Sequence, residues 1–399
     1  MVDNTTAGAP EEKPSGVRWL YDPRLRAIFY QVVALGGVML FIAYITNNAL
    51  TNLEARGITT GFRFLSEPAG FGIIQSLVEY TEQHSYGRTF IVGLLNTVLV
   101  SFTGIVVATI LGFIMGVARL SRNWLISKLA AAYIEIFRNI PLLLQIFFWY
   151  FAVLQALPSP RQSMNMGDAF FLNVRGLYLP GPVPESGFGW VAMAFIAAVG
   201  LTIAISRWAK KKQKATGETF PVFWTAVGLL IGLPTLVFLL AGMPLTWELP
   251  ALRGFNFQGG ITIIPEFMAL LIALSVYTAA FIAEIVRSGI EAINKGQTEA
   301  AHALGLPNGR TLRLVIIPQA MRVIIPPLTS QYLNLTKNSS LATAVGYPEL
   351  VSVFMGTTLN QTGQAIEVIS MTMAVYLTIS LSVSALMNLY NKRMSLVER

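Results

Sequence analysis

The chain has 399 residues, 54% of them hydrophobic and 12% charged, with a mean hydropathy of +0.59. Soluble domains carry about 25% charged residues, so half that share across long apolar runs excludes an ordinary soluble enzyme and points to a membrane protein. The absence of Cys removes disulfides and thiolate chemistry, and His84 and His302 are too few for a histidine metal site.

Residues 1–23 are polar, with neither a short apolar core nor a small-residue cleavage site, and read as part of a cytoplasmic tail (1–26) rather than a signal peptide. A helix needs roughly 20 apolar residues to cross the hydrocarbon layer. Such stretches occur at 27–49, 89–117, 129–157, 188–205, 221–241 and 265–286, then at 321–345 and 366–390. In 321–345, Pro326, Pro327, Lys337 and Asn338 interrupt the apolar run, which predicts broken backbone facing protein or a water-filled cavity. The expectation is an all-α polytopic membrane protein of about eight spans, with N and C termini cytoplasmic. Residues 27–87 supply a first span and outer loop, and 391–399 a second cytoplasmic tail.

Orientation follows from Lys and Arg. The inner side collects Lys13, Arg18, Arg24 and Arg26, then Arg119, Arg122 and Lys128, the run Arg207, Lys210, Lys211, Lys212 and Lys214, then Arg287, Lys295, Arg310, Arg313 and Arg322, and in the tail Lys392, Arg393 and Arg399. The outer side keeps Arg56, Arg63, Arg88, Arg161, Arg175 and Arg253. This positive-inside bias accounts for the net charge of +8 without a nucleic-acid partner. In the second span Gly104, Ala108, Gly112 and Gly116 recur every four residues, which predicts a seam where another helix approaches closely. The outer stretch 158–187 is rich in Pro and Gly and is not helical by composition; it reads as a loop, or as a contact for a periplasmic binding protein.

The most informative stretch is Gly296–Pro318. Gln297–Leu304 reads as a short amphipathic helix, with Asn294 or Thr298 as its cap, Ala300, Ala301 and Leu304 on one face, and Glu299 at its N-terminal turn. Gly305 stands where a left-handed residue stops a helix, and Pro307 follows. A helix this short is marginal alone, so something else holds it.

Glu299-Ala300-Ala301, three residues, Gly305, nine residues and Val315-Ile316-Ile317-Pro318 together resemble the signature of ABC-importer permeases of type I. In that family this loop is the coupling helix that enters a groove of the ATP-hydrolysing subunit. Tyr133–Gln145, Ala283–Ile290, Gly296-Gln297 and Lys337-Asn338-Ser339-Ser340-Leu341 resemble segments of the polar amino-acid branch. The resemblance covers about 88–157 and 265–390, so 88–390 reads as the permease domain with 158–264 inserted, most like the larger permeases of general L-amino-acid importers.

The resemblance implies ATPase coupling by Gly296, Gln297, Glu299, Ala300, Ala301, Leu304, Gly305 and Pro318. It implies a multi-pass protein of the bacterial inner membrane that forms half of a pathway for L-amino acids of broad range. The implied partners are a homologous permease in a heterodimer, an ATP-binding subunit dimer and a periplasmic amino-acid-binding protein. ATP and Mg would be bound by that partner and no cofactor by this chain, which has no phosphate-binding GxxxxGK[ST] loop. The chain is therefore not expected to be an enzyme.

Glu135, Arg138, Pro141, Gln145, Lys337, Asn338, Ser339 and Ser340 are the candidate pathway or gating residues. An ionisable group within a span costs roughly 2.5–3.5 kcal/mol and faces a cavity or a partner. Arg138 either binds a substrate carboxylate, pairs with Glu135 or extends to the inner boundary; Lys337, in its Asn- and Ser-rich break, divides likewise between a structural or gating role and substrate contact. Glu284 and Arg287, three apart, are expected to pair beside the docking loop. An ion-gradient-driven secondary transporter of small polar solutes is the rival reading; it predicts inverted repeats and carboxylates near mid-membrane, and neither is evident in the sequence.

Overall fold

The computed structural model describes residues 23–55, 57 and 60–394. Most of both expected tails, 1–22 and 395–399, lies outside the described residues. The helix α1 (Pro23–Ala55) is apolar on all sides and exposes them along its length, as a span in contact with lipid does.

The membrane core is built around α2 (Tyr86–Arg119) and α8 (Pro265–Glu291), which pack along each other. The small-residue stripe makes this possible. A Cβ at Gly112 would lie 2.6 Å from the Ile282 side chain, and one at Gly116 2.7 Å from the Ala283 carbonyl oxygen. Gly104 faces Leu335 of α11 (Ile317–Asn338). The seam predicted from spacing thus joins α2 to two helices. Pro265 opens α8 at a position that tolerates a missing N–H, and Glu266 in the first turn suits the helix dipole.

The stretch expected at 129–157 is not one straight span. It is α3 (Trp124–Asn139), capped by the Asn123 side chain, and α4 (Leu142–Phe147), which runs on in widened π-type turns to Leu154. The two pieces are bent by 106° at Ile140-Pro141, because Pro141 has no N–H and biases Ile140 to an extended conformation. The span carrying Pro326 and Pro327 shows the reverse. Both prolines remain inside α11, and the helix ends after Asn338, where 3-10 turns run from Ser339 to Val345. A short helix not anticipated from the sequence follows, Val351–Thr358 in π-type turns continued by α12 (Leu359–Thr362), before the last span α13 (Ala365–Met394).

Between α4 and α8 the Pro- and Gly-rich stretch read as a loop forms strands. In the antiparallel order β1-β2-β3-β8, Met164–Met166, Phe170–Asn173, Gly176–Leu179 and Ile261–Ile263 make one sheet. A hairpin of β4 (Gly181–Pro184) and β5 (Leu245–Glu248) brackets α5 (Phe188–Thr216), α6 (Val222–Val227) and α7 (Leu233–Leu240). A second hairpin pairs β6 (Ala251–Arg253) with β7 (Asn256–Gln258). Phe171, Tyr178 and Phe257 stack at centroid distances of 4.6 and 4.8 Å and form the small core of this module. The Tyr178 hydroxyl donates to Asn256 Oδ1 at 2.9 Å, and burial holds its pKa above the ordinary phenol value. The module stands at the opposite end of α8 from residues 292–306, about 40 Å away at 1.5 Å per helical residue.

Candidate functional site

The segment expected to dock on an ATPase begins where α8 ends. Arg287 bridges Glu284, at 2.5 Å, and Glu291, so the expected pair is present and extends to a third charge. Asn294 then caps α9 (Lys295–Ala303), its side chain accepting from the Gly296 N–H at 2.8 Å; Asn294 rather than Thr298 is the cap. At the far end the Leu306 N–H donates to Ala301 O and the Gly305 N–H to His302 O, at 3.0 and 2.9 Å. With Gly305 at φ +77° this is a complete Schellman stop.

The predicted shared face of Ala300, Ala301 and Leu304 divides. Ala301 is buried where α9 lies against α10 (Asn308–Thr311) and the π-type turns Leu312–Ile316, whereas Ala300 is exposed and Leu304 is 82% exposed. A step of one residue turns the helix about 100°, so consecutive alanines face different neighbours. Gly296, Gln297, Glu299 and Gly305 are exposed as well, and Pro318 is half-buried in the first turn of α11. Gln319 Nε2 donates to Gln297 Oε1 at 3.4 Å, a long link from α11 to α9. α9 is thus held between two membrane helices and presents Ala300 and Leu304, four residues apart, outward.

The candidate pathway residues fall at two backbone breaks. α4 packs against the 3-10 turns Ser339–Val345, so the bend at Pro141 and the break after Asn338 lie beside each other. Gln145 is buried, and its Nε2 donates to Phe137 O and Ile140 O at 3.0 and 2.9 Å. Those carbonyls belong to the turn that the bend interrupts, so Gln145 pins the bend. Its Oε1 is buried without a hydrogen-bond partner among the described residues. Arg138 and Glu135 are both exposed and form no ion pair among the described residues; the Arg138 guanidinium lies 5.2 Å from the centroid of the Phe281 ring on α8. Lys337 is exposed, while Ser339 is buried and donates to Thr336 O; Ser340 donates back to Lys337 O, and Asn338 is the last residue of α11. These four residues therefore do not share one direction.

Glu349 escaped the sequence reading, which found no carboxylate at membrane depth. It is fully buried and accepts from the Val351 and Ser352 N–H groups at 2.8 Å, the Tyr376 hydroxyl at 2.9 Å and the Thr343 hydroxyl at 3.2 Å. Beside it the Asn96 amide donates to Pro348 O and the Leu350 N–H donates to Thr97 Oγ1. Asn96 lies about 15 Å along α2 from its start, at 1.5 Å per residue, well inside the bundle. Four donors on one carboxylate tie the 3-10 turns, the short helix and α13 together, and no cation pairs with it among the described residues. No local pattern marks Glu349, because Thr343 and Tyr376, which close around it, lie in other elements.

Residues 215–396 match the model of the family described as binding-protein-dependent transport system inner membrane component. The chain is 58% identical to the putative amino-acid ABC transporter permease protein YhdX of Escherichia coli, over 95% of this chain and 96% of that one. The chain belongs to this permease family. It is also 52% identical to the general L-amino acid transport system permease protein AapQ of Rhizobium johnstonii, over 95% of each chain. To the glutamate/glutamine/aspartate/asparagine transport system permease protein BztB of Rhodobacter capsulatus it is 44% identical, over 95% of this chain and 96% of that one. This permease is a multi-pass inner-membrane protein, and permeases of its family are not themselves enzymes. Family membership decides for the ABC importer over the ion-gradient-driven transporter.

Proposed function

We propose that this permease forms half of the pathway of an ATP-driven, binding-protein-dependent importer of L-amino acids of broad range. A homologous permease supplies the other half in a heterodimer, and a separate ATPase dimer binds ATP and Mg. The observation that carries the reading is the outward Ala300–Leu304 edge of a capped, Gly-stopped helix in a chain so similar to amino-acid ABC permeases. With that edge seated in the ATPase, the end of the bundle bearing α9 faces the cytoplasm and the strand module faces the periplasm, in keeping with the Lys and Arg split.

The mechanism follows from what holds α9. ATP binding draws the two ATPase grooves together, and each groove carries a docking helix. The short connector 292–294, whose Ala292 N–H donates to Ser288 O, carries the displacement into the end of α8 that the Arg287 bridges stiffen, while the Gln297–Gln319 link carries it to α11. α8 and α2 are locked by the glycine seam and move as one body. The compliant places are the bend at Pro141 and the break after Asn338, where the backbone is no longer a continuous helix. Motion there alternately opens the pathway to each side.

Reconstitution tests the reading: vesicles holding this chain, its homologous permease and the ATPase, with binding protein outside and ATP inside. Uptake of labelled L-glutamine is expected to require ATP and to persist with a protonophore. Uptake driven by an ion gradient without the ATPase would overturn it.

A further inference from the structure

Where the strand module meets the membrane core there is a cavity of about 570 Å³, inside the range of roughly 300–1,000 Å³ typical of small-molecule sites. Its walls come from three places: the segment before α2 (Ile74, Gln75), the outer ends of α4 and α8 (Gln155, Glu266), and the sheet (Val174, Arg175). The cavity is separate from the docking helix and from the two backbone breaks.

Its charges are arranged unusually. Arg175 reaches the cavity from the two-residue turn between β2 and β3, which Asn173 fixes by accepting from the Arg175 N–H at 2.8 Å. One guanidinium nitrogen donates to Phe255 O at 3.1 Å, and the rest of the planar fork remains for an incoming acceptor. Glu266 accepts from the Tyr150 hydroxyl at 2.9 Å. Neither Arg175 nor Glu266 forms an ion pair among the described residues, so a cation and a carboxylate line one cavity without neutralising each other.

We propose that this cavity is an outer binding site for a free α-amino acid. The α-carboxylate lies on Arg175, the ammonium on Glu266, and the side chain along Ile74, Val174 and Ile264. The site recognises the zwitterion and leaves the side chain against a mixed wall, which suits a broad-range importer. It holds the amino acid between its arrival at the outer face and its entry between the helices. The substrate class rests on the import reading above; the charge arrangement does not.

The chain has no Cys, so a single introduced thiol is the only one on this subunit. In the reconstituted complex, Val174→Cys is labelled with a fluorescent maleimide and the subunit is resolved on a gel. L-glutamine is expected to slow labelling, whereas N-acetyl-L-glutamine and L-glutamine methyl ester, each lacking one charge, leave it unchanged. Met166→Cys, exposed on β1 and outside the cavity, is expected to label at one rate throughout. Added to Val174→Cys, Arg175→Gln or Glu266→Gln is expected to raise the protecting concentration of L-glutamine about tenfold or more, the loss of one charge-assisted contact. Thiol placement at Thr262, also in the lining, serves as a second reporter should Val174→Cys disturb the turn. Absence of protection at both positions, protection by the blocked analogues, or protection by the binding protein alone would each overturn the site. Uptake by the unsubstituted complex separates the two readings: ATP-driven uptake without protection removes the cavity site and keeps the importer, and no uptake removes the importer.

Discussion

At Gly305 the backbone stands at φ +77°, and an added Cβ would meet no heavy atom within 4 Å. Substitution there is therefore opposed by conformation rather than by crowding. Gly305→Leu costs on the order of 1–2 kcal/mol in the left-handed region, whereas Gly305→Asn costs less because Asn tolerates it. We expect Gly305→Leu to insert normally but to lose most ATP-driven uptake, with Gly305→Asn retaining it; equal uptake by both would refute the stop as a coupling element. Gln145 makes the opposite case, since its importance lies wholly in contacts. Gln145→Leu leaves the Phe137 and Ile140 carbonyls unpaired in a buried bend and should destabilise the purified chain by about 1–3 kcal/mol, read as a lower melting temperature in detergent. The Gly305 stop was legible in the sequence because it depends on residue type and local spacing. Gln145 as a pin was not, because its partners become unpaired only once the chain bends.

At the scale of elements, the α2–α8 seam sets how closely two spans approach. Gly112→Val and Gly116→Val would drive side chains into Ile282, Val286 and the α8 backbone, where neither helix can yield. Each should cost about 1–3 kcal/mol and lower the melting temperature. Gly200→Ala in α5, with open space around it, serves as the neutral control, and comparable losses in all three would refute the seam. Spacing showed that α2 carried a seam but not which helices filled it. The bend between α3 and α4 was visible only as Pro141 within an apolar run. The same residue type stays inside α11 at Pro326 and Pro327, so proline alone does not locate a break in a span.

For the whole molecule, the β4–β5 hairpin closes the base of the α5–α7 helices. Pro184 pairs with Leu245, and the Glu185 N–H donates to Pro244 O. The chain thus leaves and re-enters the module at one point. Replacing residues 186–243 by a short turn should leave α2, α8 and α11 packed, measured as monodisperse elution and a cooperative melt. Collapse of the core would show that the excised helices support it. The same construction explains how the strand module keeps its place over α8, since β8 runs directly into that helix.

The sequence by itself determined the medium, the approximate spans and the short helix α9 with its stop. Each of these is written in local patterns: twenty-residue apolar runs, four-residue spacing, and a glycine after a short helix. The tertiary structure decided what depends on residues distant in the chain. Glu349 became a buried tie only when Thr343 and Tyr376 closed around it. Arg175 and Glu266, unremarkable in sequence, came to line one cavity only when a strand turn folded over the end of α8. Neither has a sequence signature, because hydrogen bonds and charges across a fold have no fixed spacing along the chain.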